Sequence, residues 1–122
     1  MPRRILLIDD SALVLDFTRA VLERAGYEVA TATTVAAFEA ERRRAAPDLI
    51  IVDVQMPEVF GDDLASALRG AYKVSSPILL LSSLDEEELA RRAAEAEVDG
   101  WVTKKAGPDA LLAKVKSVLG EA

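Results

Sequence analysis

Three acidic residues end two apolar runs in this chain. Asp9 and Asp10 follow Ile5-Leu6-Leu7-Ile8, and Asp53 follows Leu49-Ile50-Ile51-Val52. Ser82 and Lys104 lie at the ends of two later runs. Strands adjacent in a parallel sheet would bring the three carboxylates into one pocket. Such crowding is unfavourable unless a cation or a proton offsets the repulsion, and hard divalent cations prefer oxygen ligands. A carboxylate can also accept a phosphoryl group as an acyl phosphate, which makes Asp53 a candidate nucleophile. The incoming group is itself negative, so a bare acidic pocket would repel it. A Mg²⁺ ion bridging carboxylates and phosphoryl oxygens removes that obstacle. Asp10 and Asp53 would ligate it directly, and Asp9 directly or through water. Lys104 offers a flexible point charge for phosphate oxygens, and Ser82 offers a hydroxyl donor. Together these residue types describe a phosphoryl-transfer site.

The chemistry requires that four strand ends meet. Apolar runs at 5–8, 27–32, 49–52, 78–81 and 101–103 alternate with segments of helical period. Four of the runs are almost continuously apolar, as in strands covered on both faces. The run at 27–32 is more mixed and suits a sheet edge. Leu13, Phe17, Ala20 and Val21 form one helical stripe, with Asp16, Arg19 and Glu23 facing away. Leu64, Ala67, Leu68 and Ala71 form another, and Leu111, Val115, Val118 and Leu119 a third. Leu89, Ala93 and Ala96 give a weaker one. Gly26 reads as a helix stop and Thr33 or Thr34 as a start. Pro108 suits a first helical position, and Asp85-Glu86-Glu87-Glu88 suits the positive end of a helix. Five β-α units with right-handed crossovers predict an α/β fold: a doubly wound five-stranded parallel sheet in a three-layer sandwich. The flavodoxin-like strand order 2-1-3-4-5 is expected, with ligands beyond the carboxyl ends of the strands.

Composition narrows the function. The 122 residues suit one domain with a real core. Fifteen basic against 21 acidic residues leave a net charge of −6, which argues against direct nucleic-acid binding. Cysteine and histidine are both absent. That removes disulfides, thiolate and imidazole metal sites, and Ser-His triads. No apolar run reaches membrane-spanning length, and the run after Met1-Pro2-Arg3-Arg4 is too short for a signal-peptide core. A cytoplasmic protein is expected.

Several residues together carry a family resemblance. They are Asp9-Asp10, Asp53, Met56-Pro57 with Gly61 behind them, Ser82 and Lys104, with the aromatic Trp101 before the lysine. Over essentially its whole length the chain resembles a two-component response regulator receiver domain of the chemotaxis type. The resemblance implies phosphorelay signalling. Asp53 would be the phosphoacceptor, supplied by a histidine kinase, a phosphotransfer protein or a small phosphodonor. Asp9, Asp10, Asp53 and the backbone carbonyl of Gln55 would hold Mg²⁺. Ser82 and Lys104 would bind the phosphate, and Ser82 and Trp101 would be the switch pair. Such a domain phosphorylates and dephosphorylates only itself and is not an enzyme with an external substrate. Its output, to a downstream protein or to a second copy, would use the face of the fourth helix, fifth strand and fifth helix, here parts of 86–97, Trp101 and 108–119.

The pattern has departures. The family's lysine is usually followed by a proline in a cis bond, whereas here Lys105 follows. A cis bond before a non-proline residue costs about 2.5–4 kcal/mol, so either the loop is trans or its surroundings hold the strain. Trp101 is bulkier than the usual switch residue. Leu84 and Gln55 flank the path of attacking water, and an apolar Leu84 implies a long-lived phosphoryl group. Plainer roles compete: Ser82 or Ser83 as a helix cap, Trp101 as packing against the last helix, and Arg42-Arg43-Arg44 as a solvated helix end. Competing functions are a phosphorylation-independent pseudo-receiver, a Mg²⁺-dependent phosphatase and a flavodoxin. Gln55 replaces the second acid that the phosphatase needs, and Asp9-Asp10-Ser11 would repel a flavin phosphate.

Overall fold

The computed structural model describes residues 2–121. Five strands, β1 (Arg4–Ile8), β2 (Glu28–Ala32), β3 (Leu49–Asp53), β4 (Ile78–Ser82) and β5 (Gly100–Thr103), alternate with five helices. The helices are α1 (Ala12–Arg24), α2 (Val35–Arg44), α3 (Gly61–Gly70), α4 (Glu86–Ala96) and α5 (Pro108–Leu119). All strand pairs are parallel and the order is β2-β1-β3-β4-β5, the flavodoxin-like order expected. The mixed run does lie at an edge, as β2.

Alternation along the strands builds two cores. Leu6, Ile8, Ile50, Val52, Ile78 and Leu80 point to one face and pack with Phe38 of α2, Leu64 and Leu68 of α3, and Leu89 and Ala93 of α4. Ile5, Leu7, Leu49, Ile51, Leu79 and Leu81 point to the other and pack with Leu15 and Leu22 of α1 and Leu111, Val115 and Leu119 of α5. Burying both faces is what makes these strands continuously apolar. Local chemistry ends the helices where expected. Thr34 caps α2 by accepting from Ala37 N at 3.1 Å, and Asp85 caps α4 by accepting from Glu88 N at 2.9 Å. Pro108 opens α5 after Gly107, whose φ of +89° a side chain rarely adopts. At the opposite edge of the sheet Arg69 donates to the carbonyls of Val74 and Ser76 and pairs with Asp99, which accepts from Ile78 N at 2.8 Å. That clamp sets where β4 begins. Among the described residues no helix is long and apolar enough to cross a membrane.

The expected stripe on α1 is corrected. Leu13 and Phe17 are 81% and 61% exposed, whereas Leu15, Thr18 and Leu22 are buried. Helix α1 carries two apolar rows, and periodicity alone cannot say which one meets the sheet. The row containing a threonine is the buried one, because α1 must share its face of the sheet with α5. Leu22→Ala should therefore destabilise the protein by about 2–5 kcal/mol. Phe17→Ala should stay within about 0.5 kcal/mol of wild type. Urea unfolding of the two variants checks this assignment.

Candidate functional site

The pocket forms where β1 and β3 end side by side. Ile8 is paired in register with Val52, so Asp9 and Asp53 emerge as neighbours. Oxygens of Asp9, Asp10 and Asp53 all lie within 4.8 Å of one another. Asp9 and Asp53 are buried, and Asp10 is exposed at the mouth. Lys104 reaches in from the end of β5. Its Nζ lies 2.9 Å from Asp9 Oδ2 and 3.5 Å from Asp53 Oδ1. Ser82 is fully buried at the end of β4, the strand that pairs with β3.

Each acid is held by its own loop. Asp9 Oδ1 accepts from Ser11 N at 3.0 Å, and Ser11 in turn caps α1 by accepting from Val14 N at 3.2 Å. The start of α1 is thereby tied to the pocket. Asp53 Oδ1 accepts from Gln55 N at 3.4 Å. The loop after β3 closes through a Gln55–Phe60 bridge and the bond from Gly61 N to Val54 O, at 2.9 Å. Glu58 Oε1 anchors the same loop to α2 by accepting from Val35 N at 3.0 Å. Gly61 presses directly on the acceptor strand. A Cβ there would lie 1.9 Å from the Asp53 carbonyl oxygen, a backbone atom that cannot step aside. This gives the glycine behind Met56-Pro57 its physical reason.

The electrostatics are unbalanced. Burial, reinforced by the charge of Asp9, pushes the Asp53 carboxyl up from 3.8 to about 6. Lys104 and the Gln55 N–H pull it down, and Asp10 adds to the rise. Three carboxyl groups converge here on one ammonium, so the pocket is short of positive charge. A hard divalent cation fits this set of oxygen donors and would supply that charge.

Ser82 and Ser83 do not cap α4, since Asp85 does. Instead both hydroxyls donate to Gln55 Oε1, at 3.4 Å from Ser82 and 2.7 Å from Ser83, and Ser82 Oγ accepts from Leu84 N at 3.2 Å. Asp85 takes the cap because it directly precedes Glu86, where α4 begins, whereas both serines lie further upstream. The described backbone has no cis peptide bond, so the Lys104–Lys105 bond is trans and Lys104–Ala106 forms a 3₁₀ turn. Lys104 still reaches the pocket from that turn. Trp101 is half-buried with the α2–α4 core and not, as one expectation had it, against the last helix. The reason is alternation: Val102 takes the α5 side. Leu84 is half-buried against that same α2–α4 core. Arg42 and Arg44 pair with Glu39 and Glu41 on their own helix.

The sequence pattern of the response regulator receiver domain matches residues 5–116. The chain belongs to that family. This receiver domain is 34% identical to the alkaline phosphatase synthesis transcriptional regulatory protein PhoP of Bacillus subtilis, over 98% of the chain and 49% of that protein. It is 34% identical to the phosphate regulon transcriptional regulatory protein PhoB of Pseudomonas aeruginosa, over 96% of the chain and 52% of that protein. The chain thus spans about half the length of these relatives. Among solved structures, the Vibrio cholerae chemotaxis protein CheY4 superposes with a TM-score of 0.87 at 30% identity, covering 97% of this chain and 99% of that one. The chain thus matches nearly all of one solved chemotaxis-protein chain and about half of each transcriptional regulatory protein.

Sequence reading missed two features of the site. One is the side chain of Gln55, which spans from one loop to the next. The other is a groove of about 560 Å³ beside the pocket, lined by Leu13, Phe17, Val21, Leu81, Lys104 and Pro108 among others. The doubled apolar row of α1 was its only signal.

Two expectations follow from the geometry. Between pH 3.8 and about 6 the native state holds a proton on Asp53 that the unfolded chain releases, so this group removes stability as pH rises through that interval. In the absence of divalent cations Asp53→Asn should be the more stable protein at pH 7, by about 1–3 kcal/mol. The gap should close below pH 4, and added Mg²⁺ should narrow it at pH 7; thermal melts across pH check both. Gly61→Ala should cost about 2 kcal/mol or more through backbone overlap at Asp53 and should weaken Mg²⁺ binding, as calorimetry would show.

Proposed function

We propose that this receiver domain takes a phosphoryl group onto Asp53 in a Mg²⁺-dependent reaction and thereby changes what it binds. The observation that carries the reading is the convergence of the Asp9, Asp10 and Asp53 carboxylates with the Lys104 ammonium at adjacent strand ends. Asp53 is ionised at neutral pH, because even its raised value of about 6 lies below 7. Its carboxylate oxygen would form the new O–P bond while the donor's bond to phosphorus breaks and the electron pair stays with the leaving group. With a histidine kinase or phosphotransfer protein as donor, that group is an imidazole nitrogen. Asp9, Asp10, Asp53 and the carbonyl of Gln55 would hold Mg²⁺, which when bound supplies charge neutralisation for the transferred group. Lys104 would exchange its contacts with Asp9 and Asp53 for phosphoryl oxygens, and Ser82 would donate its hydroxyl to another. The domain would act only on its own aspartate and not turn over an external ester.

The partners follow from position. A protein phosphodonor must come within bonding reach of Asp53, and the exposed apolar row of α1, with Leu13 and Phe17, flanks that opening. An exposed apolar patch continuous with the site, through Lys104, suits the docking surface of such a donor. Output would leave by α4, β5 and α5 to a protein partner or a second copy, with Ser82 and Trp101 as the moving parts. The net charge of −6 argues against direct nucleic-acid binding by this domain. A cytoplasmic setting, where kinases draw on nucleoside triphosphate, fits this role.

Beryllofluoride with Mg²⁺ should change the fluorescence of Trp101, the sole tryptophan, in a saturable way, and EDTA should reverse it. Acetyl phosphate should add one phosphoryl mass. Both responses should vanish in Asp53→Asn. Absence of both in the wild-type protein would mean a pseudo-receiver, and rapid turnover of free phosphate esters would mean a phosphatase.

A further inference from the structure

The Gln55 side chain sits between the acceptor loop and the loop that carries Ser82. Its Oε1 accepts two hydroxyl protons, from Ser83 at 2.7 Å and from Ser82 at 3.4 Å. Ser82 Oγ has a single proton to give. In this structure that proton is directed to Gln55, while the Oγ lone pairs face Leu84 N at 3.2 Å. A phosphoryl group on Asp53 needs the same proton. The two acceptors therefore compete for one donor, and Ser82 cannot satisfy both.

Resting on the phosphoacceptor reading above, we propose that Gln55 is a positioning residue that latches Ser82 away from the phosphoryl site, with Ser83 as the anchor that holds the latch in place. The shorter bond from Ser83 holds the carboxamide oxygen where it can reach Ser82. On phosphorylation the Ser82 hydroxyl redirects its hydrogen bond to a phosphoryl oxygen, and Gln55 keeps only Ser83. The latch also has mechanical reach. Gln55 is bridged to Phe60, and Arg92 of α4 lies 5.2 Å above the Phe60 ring and 3.3 Å from Asp62. Release of Ser82 thus loosens one of the ties between the loop after β3 and the loop leading into α4.

The latch opposes activation, so removing it should strengthen binding of a phosphoryl mimic. At 3.4 Å the Ser82–Gln55 bond is long, so its loss corresponds to the low end of a neutral hydrogen bond, about 0.5 kcal/mol. That converts to roughly a twofold tighter dissociation constant for beryllofluoride at saturating Mg²⁺. Calorimetric titration should show this gain in Gln55→Ala, an exposed position where the fold is not at stake. Ser83→Ala should move the constant the same way. In a Ser82→Ala background the Gln55→Ala change should have no effect, because the proton it competes for is gone. An unchanged or weaker constant in Gln55→Ala overturns the latch. So does an equal gain in the Ser82→Ala background, which would indicate simple opening of the pocket. Failure of the wild-type protein to bind beryllofluoride at all would instead overturn the phosphoacceptor reading beneath it.

Discussion

Repulsion among three carboxylates is the constraint around which the rest of this molecule is arranged. Like charges within 4.8 Å of one another, two of them buried, would spread apart in a flexible chain. They stay together because β1 and β3 are locked in register by a ladder of backbone bonds and by apolar side chains on both faces. The hydrophobic effect, acting on Ile5–Ile8 and Leu49–Val52, does the electrostatic work of holding Asp9 beside Asp53. Lys104 offsets part of the repulsion, while burial first and the charge of Asp9 second still hold the Asp53 carboxyl above its ordinary value.

The same pocket organises the loops around it. Asp9 holds the amide of Ser11, which caps α1. Asp53 holds the amide of Gln55, and Gly61 leaves room for the Asp53 carbonyl. Gln55 then reaches Ser82 and Ser83, and Glu58 reaches α2. Helix α1 is thus tied to Asp9 through Ser11, α3 packs on the Asp53 carbonyl through Gly61, and the loop before α4 is tied to the Asp53 loop through Gln55. A change of charge at Asp53 would therefore be felt by several loops at once, through bonds that are individually worth about 1 kcal/mol. That scale suits a reversible switch better than a rigid catalytic centre.

Stability and site are separated in space. The residues that close the two cores lie in the middle of the strands, and the Arg69–Asp99 clamp lies at the edge away from the pocket. The strand ends are left free to carry polar groups that a core could not tolerate. The exposed apolar row on α1 does nothing for the core, since Leu15, Thr18 and Leu22 already meet the sheet. An apolar surface of that size beside an acidic pocket is a cost to solubility that a docking role would explain.

Much of this was legible in the residues alone. Continuous apolar runs alternating with helical segments point to a parallel sheet covered on both faces, and Ile50, Ile51 and Val52 are all buried in one. Five such units point to the strand order found, and acids placed directly after two of the runs must emerge at its ligand-binding edge. Pro108, Thr34 and the acidic start of α4 are local signals with local causes, and they held. What the residues could not decide depends on partners distant in the chain. The two apolar rows of α1 are equivalent by period, and only the position of α5 selects one. Trp101 could have packed on either side, and the alternation of β5 between two filled cores places it with α2–α4. Ser82 and Ser83 look like helix caps until Gln55, 27 and 28 residues away, is brought against them. Hydrogen bonds and burial across loops are set by three-dimensional proximity, which sequence pattern encodes only through the elements it builds.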